Sequence, residues 1–167
     1  PQVDASIRHA PLVESAAVSL EPVKLGANPK TDVVLLSLNT FNFDPHVENP
    51  NRVEDPRSDV SDDIGEERHL ALADAILRCD SLPSAIVWQE MQKDDGTELT
   101  STMTADKTYN AVLDPVRERT GKDYQFRYLM EHWTRSGGQP GGNIHLGFAW
   151  DPEILTPISD PIALGMD

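Results

Sequence analysis

The sequence predicts a mixed α/β chain, and three observations carry that expectation. Two short apolar runs, Val33-Val34-Leu35-Leu36-Ser37-Leu38 and Ala85-Ile86-Val87-Trp88-Gln89, read as buried strands bounded by polar residues, Pro or Gly. A stretch of good helix formers, Glu66 to Arg78, separates them. Further on, 124–130 and 143–150 alternate apolar and polar residues, the period of half-buried strands.

The first run leads into Asn39 and the second into Glu90. A strand–helix–strand unit makes the two strands parallel or close neighbours. The intervening helix presents Leu70, Ala73 and Leu77 at i, i+3 and i+7 as its sheet-facing stripe, and His69 is expected on the solvent side. Acidic residues open it and Arg78 closes it, which suits the helix dipole. A second helix is expected over 105–119, with Tyr109, Val112, Leu113 and Val116 facing inward and Pro115 kinking or shortening it. The alternating strands 124–130 and 143–150 are expected to pair across the glycine-rich loop 136–142.

Composition narrows the functional classes. The chain has 167 residues, fitting one domain or a piece of a larger one, and 38% hydrophobic residues allow a modest core. Its 14 basic and 28 acidic residues give a formal net charge of -14. Such a surface lacks the basic face of a cytosolic repair nuclease and fits an extracellular, periplasmic or cell-surface setting. The single cysteine, Cys79, excludes an internal disulfide and reads as a small apolar residue near a helix end. No stretch approaches the run of about 20 apolar residues of a membrane span. Pro1 stands where an initiating Met would, which reads as a processed, truncated or partly observed chain.

Residues 1–31 are expected to be a linker or lead-in, with 18–25 as an edge strand interrupted by Pro22. Residues 32–158 hold the domain and 159–167 a tail. Between the first strand and the first helix, 44–67 carries nine carboxylates among Pro45, Pro50 and Pro56. It lacks the EF-hand pattern and is expected to be a solvated acidic loop, with a calcium site as the alternative.

In open α/β sheets, side chains at the carboxyl ends of neighbouring strands point into a shared crevice. Glu90 delivered there is a ligand for a hard cation that polarises a phosphoryl oxygen. Asn39 beside it can hydrogen-bond a phosphate or orient a carboxylate without adding charge. A metal-dependent phosphodiesterase site is the expectation, with this chain carrying part of it.

Three segments add to that expectation. Ser37-Leu38-Asn39-Thr40-Phe41-Asn42-Phe43, then Val87-Trp88-Gln89-Glu90-Met91, then Gly141-Gly142-Asn143-Ile144-His145-Leu146 ahead of Trp150-Asp151-Pro152, resemble the endonuclease/exonuclease/phosphatase superfamily. The likeness covers 32–155 in family order and is nearest to the bacterial secreted-nuclease branch. The resemblance implies a DNase I-like, two-layer β-sandwich flanked by helices, of which this chain supplies the N-terminal half. It implies that Asn39 is a catalytic asparagine, Glu90 the metal-binding carboxylate, and Asn42, Asn143 and His145 contacts to substrate. The implied cofactor is Mg²⁺, Mn²⁺ or Ca²⁺, and the implied substrate a nucleic acid, foremost DNA.

Two departures shape the expectation. His145 stands where the branch commonly has Arg, so it is open between a substrate contact and a strand histidine. The family's later Asp-x-Asn strand end and terminal Asp-His pair have no match after Trp150. The remaining catalytic groups are therefore expected from a missing C-terminal half or a complementary chain. Half a sandwich would also expose a large apolar sheet face, which needs a complement. Two other readings fit the same scaffold: a non-catalytic cell-surface or envelope component, and a phosphatase or lipid phosphodiesterase.

Overall fold

The computed structural model describes residues 32–129, 137 and 140–162. The lead-in 1–31, its edge strand, most of the loop 130–139 and the tail from 163 lie outside the described residues. Four strands and two helices follow in the order β1 (Leu35–Phe43), α1 (Arg68–Leu77), β2 (Ala85–Gln92), α2 (Asp106–Thr120), β3 (Gln125–Tyr128) and β4 (Ile144–Trp150).

The strands form one mixed sheet in the order β1-β2-β4-β3. β1 and β2 run parallel, as the helical crossover requires, while β4 lies antiparallel to both β2 and β3. The chain is therefore α+β. Among the described residues no helix is long and apolar enough to cross a membrane.

Register sorts the side chains into two faces. Leu36, Ile86, Ala149 and Phe126 form one cross-sheet row, and Leu38, Trp88, Gly147 and Tyr128 the next, both turned toward the helices. α2 covers this face with Tyr109, Val112, Leu113 and Val116, all fully buried at i, i+3, i+4 and i+7. Tyr109 meets Trp88 edge-on at 6.1 Å and stacks on Phe126 and Tyr128 at 5.0 and 5.3 Å. Gly147 makes this approach possible, because a Cβ there would collide with the Tyr109 hydroxyl.

The helices differ from expectation at their ends. α1 begins at Arg68 because Glu67 adopts a left-handed conformation, φ 58°. Glu66 and Glu67 thus precede the helix, and Arg78 is its C-cap. Its buried stripe is Ala73 and Ile76, with Leu72 and Leu77 packed beside them. Leu70 is half-buried, and so is His69, whose Nδ1 is enclosed. α2 runs through Pro115 to Thr120. Its free N–H groups are satisfied from outside, Lys107 and Thr108 donating to Asp94 Oδ1 at 2.7 and 3.2 Å.

The opposite sheet face carries no helix among the described residues. Its rows are Leu35, Ala85, Trp150 and Gln125, then Ser37, Val87, Phe148 and Arg127. Leu35 is 67% exposed and Leu146 57%, with Val87 also exposed. Ala85, Phe148 and Trp150 border a hollow of about 260 Å³ closed on one side by Leu155, Pro157 and Ile158.

Residues 44–67 are not simply a solvated acidic loop. Asp44, Glu48, Asp59 and Asp63 are buried and organise the loop by accepting backbone N–H bonds. A prolyl-rich segment that cannot form a ladder must satisfy its amides in some such way.

Candidate active site at the ends of the parallel strands

β1 and β2 stay in register from Leu35–Ala85 to Asn39–Gln89, and pairing resumes at Phe43–Met91. Thr40, Phe41 and Asn42 therefore face Glu90 alone across this gap. On the other side of β2, pairing with β4 breaks between Trp88 and Met91, so Glu90 lies in an irregularity on both edges. Bulges of this kind re-aim side chains and terminate pairing.

The backbone here is strained as well as bulged. Phe41, Asn42 and Glu90 adopt φ of 55°, 56° and 60°. Left-handed geometry is tolerable for Asn and costly for Phe or Glu. Three such residues at one sheet end persist only where neighbouring contacts hold them.

Those contacts are specific. Asn39 Oδ1 accepts the Phe41 N–H at 2.9 Å. The Thr40 hydroxyl lies 3.0 Å from Gln89 O and 2.8 Å from Glu90 O, tying the strand ends together. Arg68, the first residue of α1, donates to Thr40 O and Phe41 O, both at 2.9 Å. Its other amino group pairs with Asp63, and its guanidinium lies 6.0 Å from the Phe43 ring centroid. Asp63 in turn accepts the Asp44 N–H. The loop and the helix start thus clamp the same crossover.

The structure brings Asn39, Asn42 and Glu90 to one sheet end. Asn39 is exposed, and Asn42 and Glu90 are half-buried. Asn42 Oδ1 is buried with no hydrogen-bond partner among the described residues. Asn143 and His145 lie inside instead. Asn143 is fully buried, its N–H donating to Gln92 Oε1 and its carbonyl accepting from Lys93, each at 3.0 Å. His145 pairs with Met91 on the helix-facing side, with its ring 5.0 Å from Tyr128 and Nδ1 3.1 Å from Leu129 O. The ring is fully buried.

The sequence reading missed Arg68 and Lys93. Lys93 is fully buried, and its ammonium meets Glu98 O at 2.5 Å, Thr100 Oγ1 at 3.1 Å and Asp95 at 3.0 Å, pinning the loop after Glu90. Neither carries a sequence signal, since a lone basic residue in a polar stretch reads as solvated.

Beside the site, Asp44 and Glu48 are 1% and 2% exposed. Both carboxyls converge on Gly96, where φ is 59° and a Cβ would strike them. Burial, then the Glu48 charge, pushes the Asp44 carboxyl up to about 8. Asp44 is therefore mostly protonated at neutral pH.

The donor set bears on the implied metal. Among the described residues no group of three or more His, Cys, Asp or Glu could hold a metal ion. A Mg²⁺ ion, which keeps several waters and takes one or two carboxylates plus phosphate oxygens, is compatible with so few protein ligands. Glu90 would supply the carboxylate, and the unsatisfied Asn42 Oδ1 is a hard oxygen on the facing stretch of β1.

Comparison with known proteins finds no matching family model, no matching curated protein and no matching solved structure.

Proposed function

We propose that this chain forms part of a metal-dependent phosphodiesterase of DNase I-like type, acting on nucleic acid outside the cytoplasm. One observation carries the reading: three left-handed non-glycine residues converge where the two parallel strands end, at the segment bearing Asn39, Asn42 and Glu90.

The bound cation would polarise the phosphoryl oxygen and stabilise the leaving alkoxide. Glu90 holds its carboxylate at the strand end for that ion. Asn39 has its Oδ1 engaged by Phe41, which leaves its amide N–H group to donate to a phosphate oxygen without electrostatic cost. Thr40 and Arg68 keep the crossover from relaxing into regular strand. Groups that activate water come from a second layer, contributed by further polypeptide or another chain. The exposed sheet face is the surface on which that layer packs.

A second reading, a non-catalytic surface component on the same scaffold, is favoured by the net charge of -14, which opposes binding of a phosphate backbone. Glu90→Gln in the intact protein separates the two. Mg²⁺-dependent cleavage of DNA, offered both as a single strand and as plasmid, should fall at least about 100-fold, as when a preorganised group at a reacting phosphate is removed. Undiminished cleavage by the variant overturns the hydrolytic assignment.

A further inference from the structure

Phe41 has no task in the chemistry above. It is 68% exposed, so it contributes little to the core. Its backbone is nonetheless held on both sides, the N–H by Asn39 Oδ1 and the carbonyl by Arg68, each at 2.9 Å. A bulky aromatic in the left-handed region costs more than Gly or Asn would. The fold thus commits two side chains to presenting a ring to solvent one residue from Thr40, whose hydroxyl touches Glu90 O.

The charge of the chain gives that ring a purpose. With a net charge of -14, general attraction for a phosphate backbone is absent. Affinity for a nucleotide strand must then come from contacts that do not depend on phosphate. Stacking of a base on an aromatic side chain is such a contact, and it tolerates any sequence because every base has a π-face.

We propose that Phe41 is a stacking platform for a nucleobase next to the phosphodiester held at Asn39 and Glu90. This rests on the phosphodiesterase reading and narrows its substrate to an unpaired strand. A base inside a duplex is already stacked on both faces and must be extruded at a cost before it can meet the ring.

The test is a fluorescence titration of the whole chain in Mg²⁺ with a single-stranded oligodeoxynucleotide. The strand carries 2-aminopurine and cleavage-resistant phosphorothioate links. Stacking on Phe41 should quench the fluorophore. Phe41→Leu keeps an apolar side chain and removes the π-face, so it should weaken binding about 5- to 100-fold and abolish the quench. Phe41→Trp should restore both. The same sequence as a duplex should bind more weakly. A ribonucleotide version assigns the sugar, and binding by either strand type supports a base contact. The proposal is overturned if Phe41→Leu retains affinity and quench, if the duplex binds as well as the single strand, or if the unaltered chain does not bind. Glu90→Gln reports cleavage and Phe41→Leu reports stacking, so failure of one leaves the other result standing.

Discussion

Val87 and Trp88 are consecutive on β2 and occupy opposite environments. Trp88 is fully buried against Tyr109, while Val87 lies exposed between Ser37 and Phe148. The pleat alone separates them, since successive side chains point to opposite sides of a sheet. One face is therefore a finished core, and the other mixes the exposed Leu35, Val87 and Leu146 with Ser37, Gln125 and Arg127. The candidate site lies at the edge where both faces end. Groups from α1 and the 44–67 loop hold it from the covered side, and a second layer would approach it from the open side.

The largest effect expected from this asymmetry is at Trp88. Trp88→Ala removes a side chain with no exposed surface and leaves a cavity beside Tyr109, for a loss of about 3–5 kcal/mol. Urea denaturation followed by circular dichroism measures it. A loss under about 1 kcal/mol would mean the helical layer is not the core described above.

A pH-dependent effect separates the buried carboxyls of the 44–67 loop from its exposed ones. The Asp44 carboxyl lies near 8 in the folded chain, against an ordinary value of 3.8. The folded state therefore binds more protons than the unfolded state between those values. Stability should fall as pH rises from about 4 to about 8 and level off above that. Asp44→Asn removes the ionisation and should flatten this slope, read from melting temperatures between pH 5 and 9. An unchanged slope in the variant would assign it to other groups.

Local periodicity made the covered face legible. Tyr109, Val112, Leu113 and Val116 mark α2, and the alternation of 124–128 marks β3, because each pattern is complete within a few residues. The apolar runs made β1 and β2 legible, but both strands continue past the residues expected to end them, β1 from Asn39 to Phe43 and β2 from Glu90 to Gln92. The insertion of β4 between β2 and β3 was not, since strand order depends on pairing between distant segments. Nor was the burial of Glu48, whose partners are the amides of Ser61 and Thr97. The start of α1 moved because one residue, Glu67, turns left-handed, and no propensity announces that. The strain at Phe41 was hidden for the same reason. It arises from Asn39 and Arg68 acting together, and they stand 29 residues apart (68 − 39).

Val87 supplies the smallest effect and the sharpest test of the open face. Val87→Ser replaces an exposed apolar side chain and, in the chain by itself, should change stability by no more than about 0.5 kcal/mol. If another chain provides the second layer, the same substitution becomes costly in the complex, because it then places a hydroxyl in an apolar interface. Denaturation of the isolated chain and affinity for that partner should therefore respond differently to one substitution. A loss above about 2 kcal/mol in the isolated chain would place Val87 in a covered environment already, with the cover supplied by residues outside those described. The contrast with Trp88 would then reflect two layers within one polypeptide, and the search for a complement would turn from other chains to this one.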